Sequence, residues 1–129
     1  MADPPAGRVA FLFTDLEGST AYWERRPESM PAVYERHDAI LRAAITGQGG
    51  VVYKIIGDAF QAAFPHAEGA VRAAVAAQQH LFSEPWPIAP APRVRMALHV
   101  CEVTPQPDGD YRTPGLNRLG RLLSAADGG

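Results

Sequence analysis

Disulfides are excluded from the outset, because Cys101 is the single cysteine of the 129-residue chain and an internal bridge needs two. No run of 18 apolar residues occurs, so no segment is expected to span a bilayer. The opening residues "MADPPAGR" lack the apolar stretch of a secretory leader, and a cytoplasmic location is expected. Charge of one sign is also scarce: the formal net charge is -2, with no cluster of Lys and Arg. The electrostatic footprint of a nucleic-acid or membrane-surface binder is therefore missing, and neither partner is expected. No G-x-x-x-x-G-K stretch is found and no dinucleotide fingerprint, which removes P-loop and Rossmann chemistry. His37, His66, His80 and His99 show no zinc-ligand spacing, and Cys101 has no nucleophile signature. Trp23 and Trp86 read as packing residues. What is present, 47% hydrophobic and 20% charged residues, fits one globular domain over 1–129 with a real core.

The apolar run "VAFLF" at 9–13 predicts a buried strand, with Asp15 just past its end and Ser19 capping a helix that begins at Thr20. Pro27 and Pro31 interrupt that helix. From Val33 to Ile45 apolar positions recur every three or four residues, predicting a second helix that "GQGG" stops. "VVYKII" and "AFQAAF" are β-rich runs separated by Gly57 and Asp58, the spacing of a two-residue hairpin turn. Residues 67–82 predict another helix, with Ala70, Val71, Ala74, Val75, Gln78 and Leu81 along its inner stripe. The proline-rich stretch at 84–92 is a connection. "RVRMALHV" alternates as a strand does, with Val94, Met96, Leu98 and Val100 on one side. Thr113 and Pro114 then read as the cap and first position of a last helix running to about Ala126. This order predicts an α+β fold, a ferredoxin-like sandwich whose antiparallel-rich sheet carries helices on one face.

Asp15 and Asp58 each stand at a strand end, and two carboxylates converging on one point repel unless a cation joins them. Mg²⁺ or Mn²⁺ would satisfy both. Gly57 and Asp58 are equally a good hairpin turn, and Asp15 equally a loop acid. In "LEGST", backbone amides of a glycine-containing turn at a helix start favour an oxyanion, so Glu17, Gly18, Ser19 and Thr20 are candidates for holding phosphate. An ordinary helix start is the competing reading. Asn117 and Arg121 are four apart and share one side of the last helix, where an arginine fork could quench developing charge and an amide could orient a sugar hydroxyl. Lys54 is open between a site residue and a surface charge.

Taken jointly, "FLFTDLEGST", "VVYKIIGDAFQAAF", "RVRMALH" and "DGDYRTPGLNRLGRLL" resemble the class III adenylate and guanylate cyclase catalytic domain, in order and over residues 8–129. The bacterial adenylate cyclase branch is the most similar in pattern. The resemblance implies conversion of ATP to 3′,5′-cyclic AMP and pyrophosphate with two Mg²⁺ or Mn²⁺ ions. It implies Asp15 and Asp58 as metal ligands, with the Leu16 carbonyl as a further one. Lys54 and Asp110 fall on the pair that reads adenine, and Asn117 and Arg121 on the pair that orients the ribose and stabilises the reacting phosphate. In the family these groups face the metals from the other protomer, which implies a head-to-tail, two-fold homodimer. The chain departs from the family pattern at Ala97 and Cys101, which stand for glycines, and at Val100, Arg112, Thr113 and the Leu119-Gly120 pair. The family's further C-terminal strands, with their lysine for the terminal phosphate, have no counterpart before Gly129, so a partial domain is expected. A nucleotide-binding or dimerising module without turnover, regulating an attached domain, is the alternative.

Overall fold

The computed structural model describes residues 4–128. Its elements run β1 (Gly7–Leu16), α1 (Ser19–Arg25), α2 (Met30–Gly47), β2 (Val51–Ile56), β3 (Ala59–Phe64), α3 (Ala67–Ser83), β4 (Val94–Val103) and α4 (Pro114–Ala125). The strands form one sheet in the order β2-β3-β1-β4, and every neighbouring pair is antiparallel. That is the ferredoxin-like arrangement expected from the element order.

Strand alternation sorts the core into two faces. Ala10 and Leu12 of β1 pack with Leu41 and Ile45 of α2 and with Ala70, Ala73 and Ala77 of α3. Val9, Phe11 and Phe13 point the other way, onto Leu116, Leu119 and Leu123 of α4 and the ring of Tyr111. Helices on one face therefore describes α2 and α3. The fourth helix covers β1 and β4 from the opposite side, because its Leu stripe is the partner of the second set of β1 side chains. A third cluster, with Leu16, Tyr22, Met30 and Val33, closes the end of the sheet where α1 lies. There the Tyr22 hydroxyl donates to the carbonyls of Pro90 and Ala91 at 3.0 and 3.3 Å and ties α1 to the proline-rich connection.

Three local expectations are corrected. β1 does not stop before Asp15, since β4 is long enough to pair Asp15 with Arg95 and Leu16 with Val94. Ser19 does not cap α1; it is the first helical residue, and Gly18 precedes it in the left-handed conformation at φ 66° with no side-chain cap. The inner stripe of α3 is Ala70, Ala73, Ala77 and Leu81, while Val71 and Val75 are 53% and 51% exposed. Small residues face inward because the helix approaches closely: a Cβ added at Gly69 would lie 2.8 Å from the Gln48 carbonyl oxygen. The hairpin, by contrast, is as expected, with Gly57 at φ 59° between β2 and β3. Trp86 packs as read and donates its indole N–H to the Leu81 carbonyl at 2.9 Å.

Candidate active site

The hairpin turn carries Asp58 toward the end of β1. Its Oδ1 accepts the backbone N–H of Leu16 at 3.2 Å, which brings the two acids within one residue of a shared backbone amide. Asp15 is engaged differently. Arg95, its cross-strand partner, forks onto the carboxylate with Nε to Oδ1 at 2.8 Å and Nη2 to Oδ2 at 2.7 Å. The hydrogen bond and the charge of Asp15 hold the Arg95 guanidinium above its ordinary value. Strand alternation alone sets Arg95 on one side of β4 and carries no sign of this pairing. Among the described residues no group of three or more His, Cys, Asp or Glu is placed to hold a metal ion. The Asp15 and Asp58 carboxylates are hard oxygens of the kind that Mg²⁺ and Mn²⁺ take, and the guanidinium seated on Asp15 shows that this end accommodates positive charge.

Glu17, Gly18, Ser19 and Thr20 follow directly. The Glu17 amide donates to the Arg93 carbonyl at 2.8 Å, and its carboxylate accepts the Gly128 N–H at 3.0 Å. Both bonds fix the turn, one to the residue before β4 and one to the segment after α4.

A second group lies on the α4 side of the sheet. Lys54 Nζ donates to Asp110 Oδ2 at 3.0 Å, beside an open pocket of about 550 Å³ lined by Phe13, Lys54, Gln61, Asp110, Tyr111, Arg112, Thr113, Pro114, Leu116 and Asn117. Burial alone would resist ionisation of Asp110. Hydrogen bonds from Lys54 and the Tyr111 amide outweigh it and hold the carboxyl below the usual carboxylate range. Desolvation pushes the Tyr111 phenol up to about 12. The structure thus brings Lys54, Asp110 and Asn117 together, and separately brings Asp15, Leu16 and Asp58 together. Arg121, one turn beyond Asn117 on α4, is exposed and does not line the pocket. The departures at Ala97 and Cys101 are absorbed under α4: both pack in its cluster, and Gly115 leaves the room, since a Cβ there would come within 3.4 Å of Cys101 Sγ.

The family described as the adenylate and guanylate cyclase catalytic domain matches residues 1–85. The chain belongs to that family. This cyclase domain is 35% identical to an adenylate cyclase of Mycosarcoma maydis over 98% of its own length, and spans 6% of that fungal protein. It is 38% identical to an uncharacterized protein of Mycobacterium tuberculosis, again over 98% of the chain and 42% of the relative. Among solved structures it is similar to an adenylate cyclase of Trypanosoma brucei in its monomeric state, with a TM-score of 0.86, 25% identity, and coverage of 99% of this chain and 73% of that one. The chain therefore spans a small part of the fungal relatives and under half of the mycobacterial one. Among the described residues no helix is long and apolar enough to cross a membrane.

Proposed function

We propose that this cyclase domain converts ATP to 3′,5′-cyclic AMP and pyrophosphate at the interface of a head-to-tail homodimer. The observation that carries the reading is the Lys54–Asp110 pair at 3.0 Å beside a pocket that also holds Asn117. An amine-bearing purine edge suits such a pair: Asp110 accepts from the exocyclic amine, and Lys54 donates to a ring nitrogen. A guanine carbonyl would instead meet the Asp110 carboxylate, acceptor against acceptor. Asn117 reaches the sugar from the start of α4, and Arg121 supplies charge to the phosphate that reacts. Asp15, Asp58 and the Leu16 carbonyl would hold two Mg²⁺ or Mn²⁺ ions, with Arg95 giving up its hold on Asp15. When bound, such ions acidify the ribose 3′-hydroxyl and neutralise the leaving phosphates. The backbone amides of Gly18, Ser19 and Thr20 receive the phosphate tail, the Glu17 amide being already bound to the Arg93 carbonyl. Placement in a bacterial cytoplasm accords with the single cysteine and with the mycobacterial relative.

Two groups on separate patches of one chain call for a partner copy to complete each site. Purified protein with ATP and Mn²⁺ is expected to form cyclic AMP, and Asp15→Ala and Arg121→Ala proteins are each expected to be inactive. Mixed in equal amounts, the two should recover about a quarter of the wild-type rate, because half of the dimers are mixed and each of those has one intact site of two. No recovery, with both variants shown to dimerise, would reject the shared site. A nucleotide-binding module without turnover is the second reading, favoured by the position of Arg121 outside the pocket. Calorimetry that finds ATP bound without product selects it.

A further inference from the structure

β2 contains a bulge directly before its lysine. Val52 pairs with Ala62 and Lys54 with Gln61, so Tyr53 is the extra residue of the strand. In a regular strand successive side chains point to opposite faces. Here two in a row face α4: Tyr53 packs in the cluster of Phe11 and Tyr111, and Lys54 reaches the pocket beside Asp110. The Tyr53 ring meets Tyr111 at a centroid distance of 4.8 Å and 73°, and Phe11 at 6.0 Å and 83°. Tyr111 and Phe11 are themselves 5.0 Å apart at 82°. Edge-to-face contacts of this kind add to what burial contributes.

The chain order gives these contacts their significance. Tyr53 immediately precedes Lys54, and Tyr111 immediately follows Asp110. The ring pair and the ion pair therefore join the same two segments, one beneath the other. The lower joint is fastened: the Tyr111 hydroxyl donates to the Pro5 carbonyl at 2.5 Å, and the Tyr111 amide donates to Asp110 Oδ1 at 2.7 Å. The Tyr53 hydroxyl, by contrast, is buried with no hydrogen-bond partner. Its contacts are made by the ring.

We infer that Tyr53 is a positioning residue for base recognition: seated by the bulge on Tyr111, its ring sets the spacing of Lys54 and Asp110. The identity of the base rests on the cyclase reading; the seat itself does not.

Tyr53→Ala, Tyr53→Phe and, as a packing control in the same cluster, Cys101→Ala separate the possibilities. Two readouts are needed, steady-state kinetics with ATP and with ITP, whose base has a carbonyl in place of the amine, and the titration of the Asp110 carboxyl by ¹³C NMR without nucleotide. Tyr53→Ala is expected to raise KM for ATP about tenfold with kcat nearly unchanged, the mark of lost uniform binding, and to narrow the preference for ATP over ITP. The Asp110 carboxyl should then titrate at higher pH, as the pairing with Lys54 loosens. Tyr53→Phe should match the wild type in both. If Tyr53→Ala does not fold, Tyr53→Leu keeps the bulk without the ring and is expected to show the same two losses. Wild-type behaviour of the ring-deleted protein overturns the inference, as does equal damage from Tyr53→Phe or from Cys101→Ala. A wild type that neither binds nor turns over ATP refutes the cyclase reading, while the Asp110 titration still decides for or against the aromatic seat.

Discussion

Asp15 and Asp58 stand on backbone that the sheet itself fixes, one in a paired strand and one in a two-residue turn whose acid accepts the Leu16 amide. Lys54 and Asp110 are 56 residues apart in sequence and meet through their side chains, with two tyrosine rings below them. The acid end thus inherits its geometry from hydrogen-bonded ladders, which resist small changes as a unit. The pocket beside Lys54 and Asp110 depends on side-chain packing, where one truncated ring is felt. Chemistry should be lost abruptly at the first and tuned gradually at the second.

The largest effect that would test this contrast is Asp58→Ala. On the proposed two-metal reading, its removal is expected to lower cyclic AMP formation by about two to three orders of magnitude, while the lost bond to Leu16 costs only about 1 kcal/mol of stability. A rate assay beside a thermal melt reads both. Next comes Lys54→Met, which removes a charge-assisted hydrogen bond and is expected to raise KM for ATP by about 10- to 100-fold without unfolding the protein. Equal losses in the two variants would erase the distinction between the ends.

Smaller effects probe the scaffold beneath. A Cβ on Gly50 would collide with the buried ring of Phe64 and lie 2.8 Å from Ile45 Cγ2, so Gly50→Ala should cost about 1–3 kcal/mol in denaturant unfolding. The smallest effect is expected at His37. It is fully buried against Phe60 and Tyr34 with neither ring nitrogen partnered. Burial lowers its pKa, against smaller opposing effects of Asp58 and Asp38. The unfolded chain therefore takes up a proton near pH 6.5 that the folded chain refuses, and stability falls as pH drops below that value. His37→Leu should remove this decline, worth about 1 kcal/mol over one pH unit, in melts run between pH 7 and 5.

The hairpin turn and its two strands were legible because their signal is local: two β-rich runs, a glycine that takes positive φ, and an acid after it. The α3 stripe is not legible from hydrophobicity because the larger apolar residues Val71 and Val75 stand outside the packed side. Close approach to α2 then selected Ala70, Ala73 and Ala77 over the larger Val71 and Val75. Arg95 was illegible for another reason. Its role depends on the β1–β4 register, which pairs it with a residue 80 positions away. The Tyr53 bulge likewise belongs to strand pairing, and no feature of "VVYKII" alone announces it. In the family pattern Asn117 and Arg121 travel together, yet only the first lines the pocket of a single chain.

α4 touches both ends of this arrangement. Asn117, near its start, borders the pocket beside Lys54 and Asp110, and the Ser124 carbonyl, in its last turn, accepts from Arg95 Nη1 at 3.4 Å. Seven residues of helix separate them, about 10 Å along the axis. The helix acts as a ruler with a phase as well as a length: one residue inserted between these positions would turn one end by about 100° against the other.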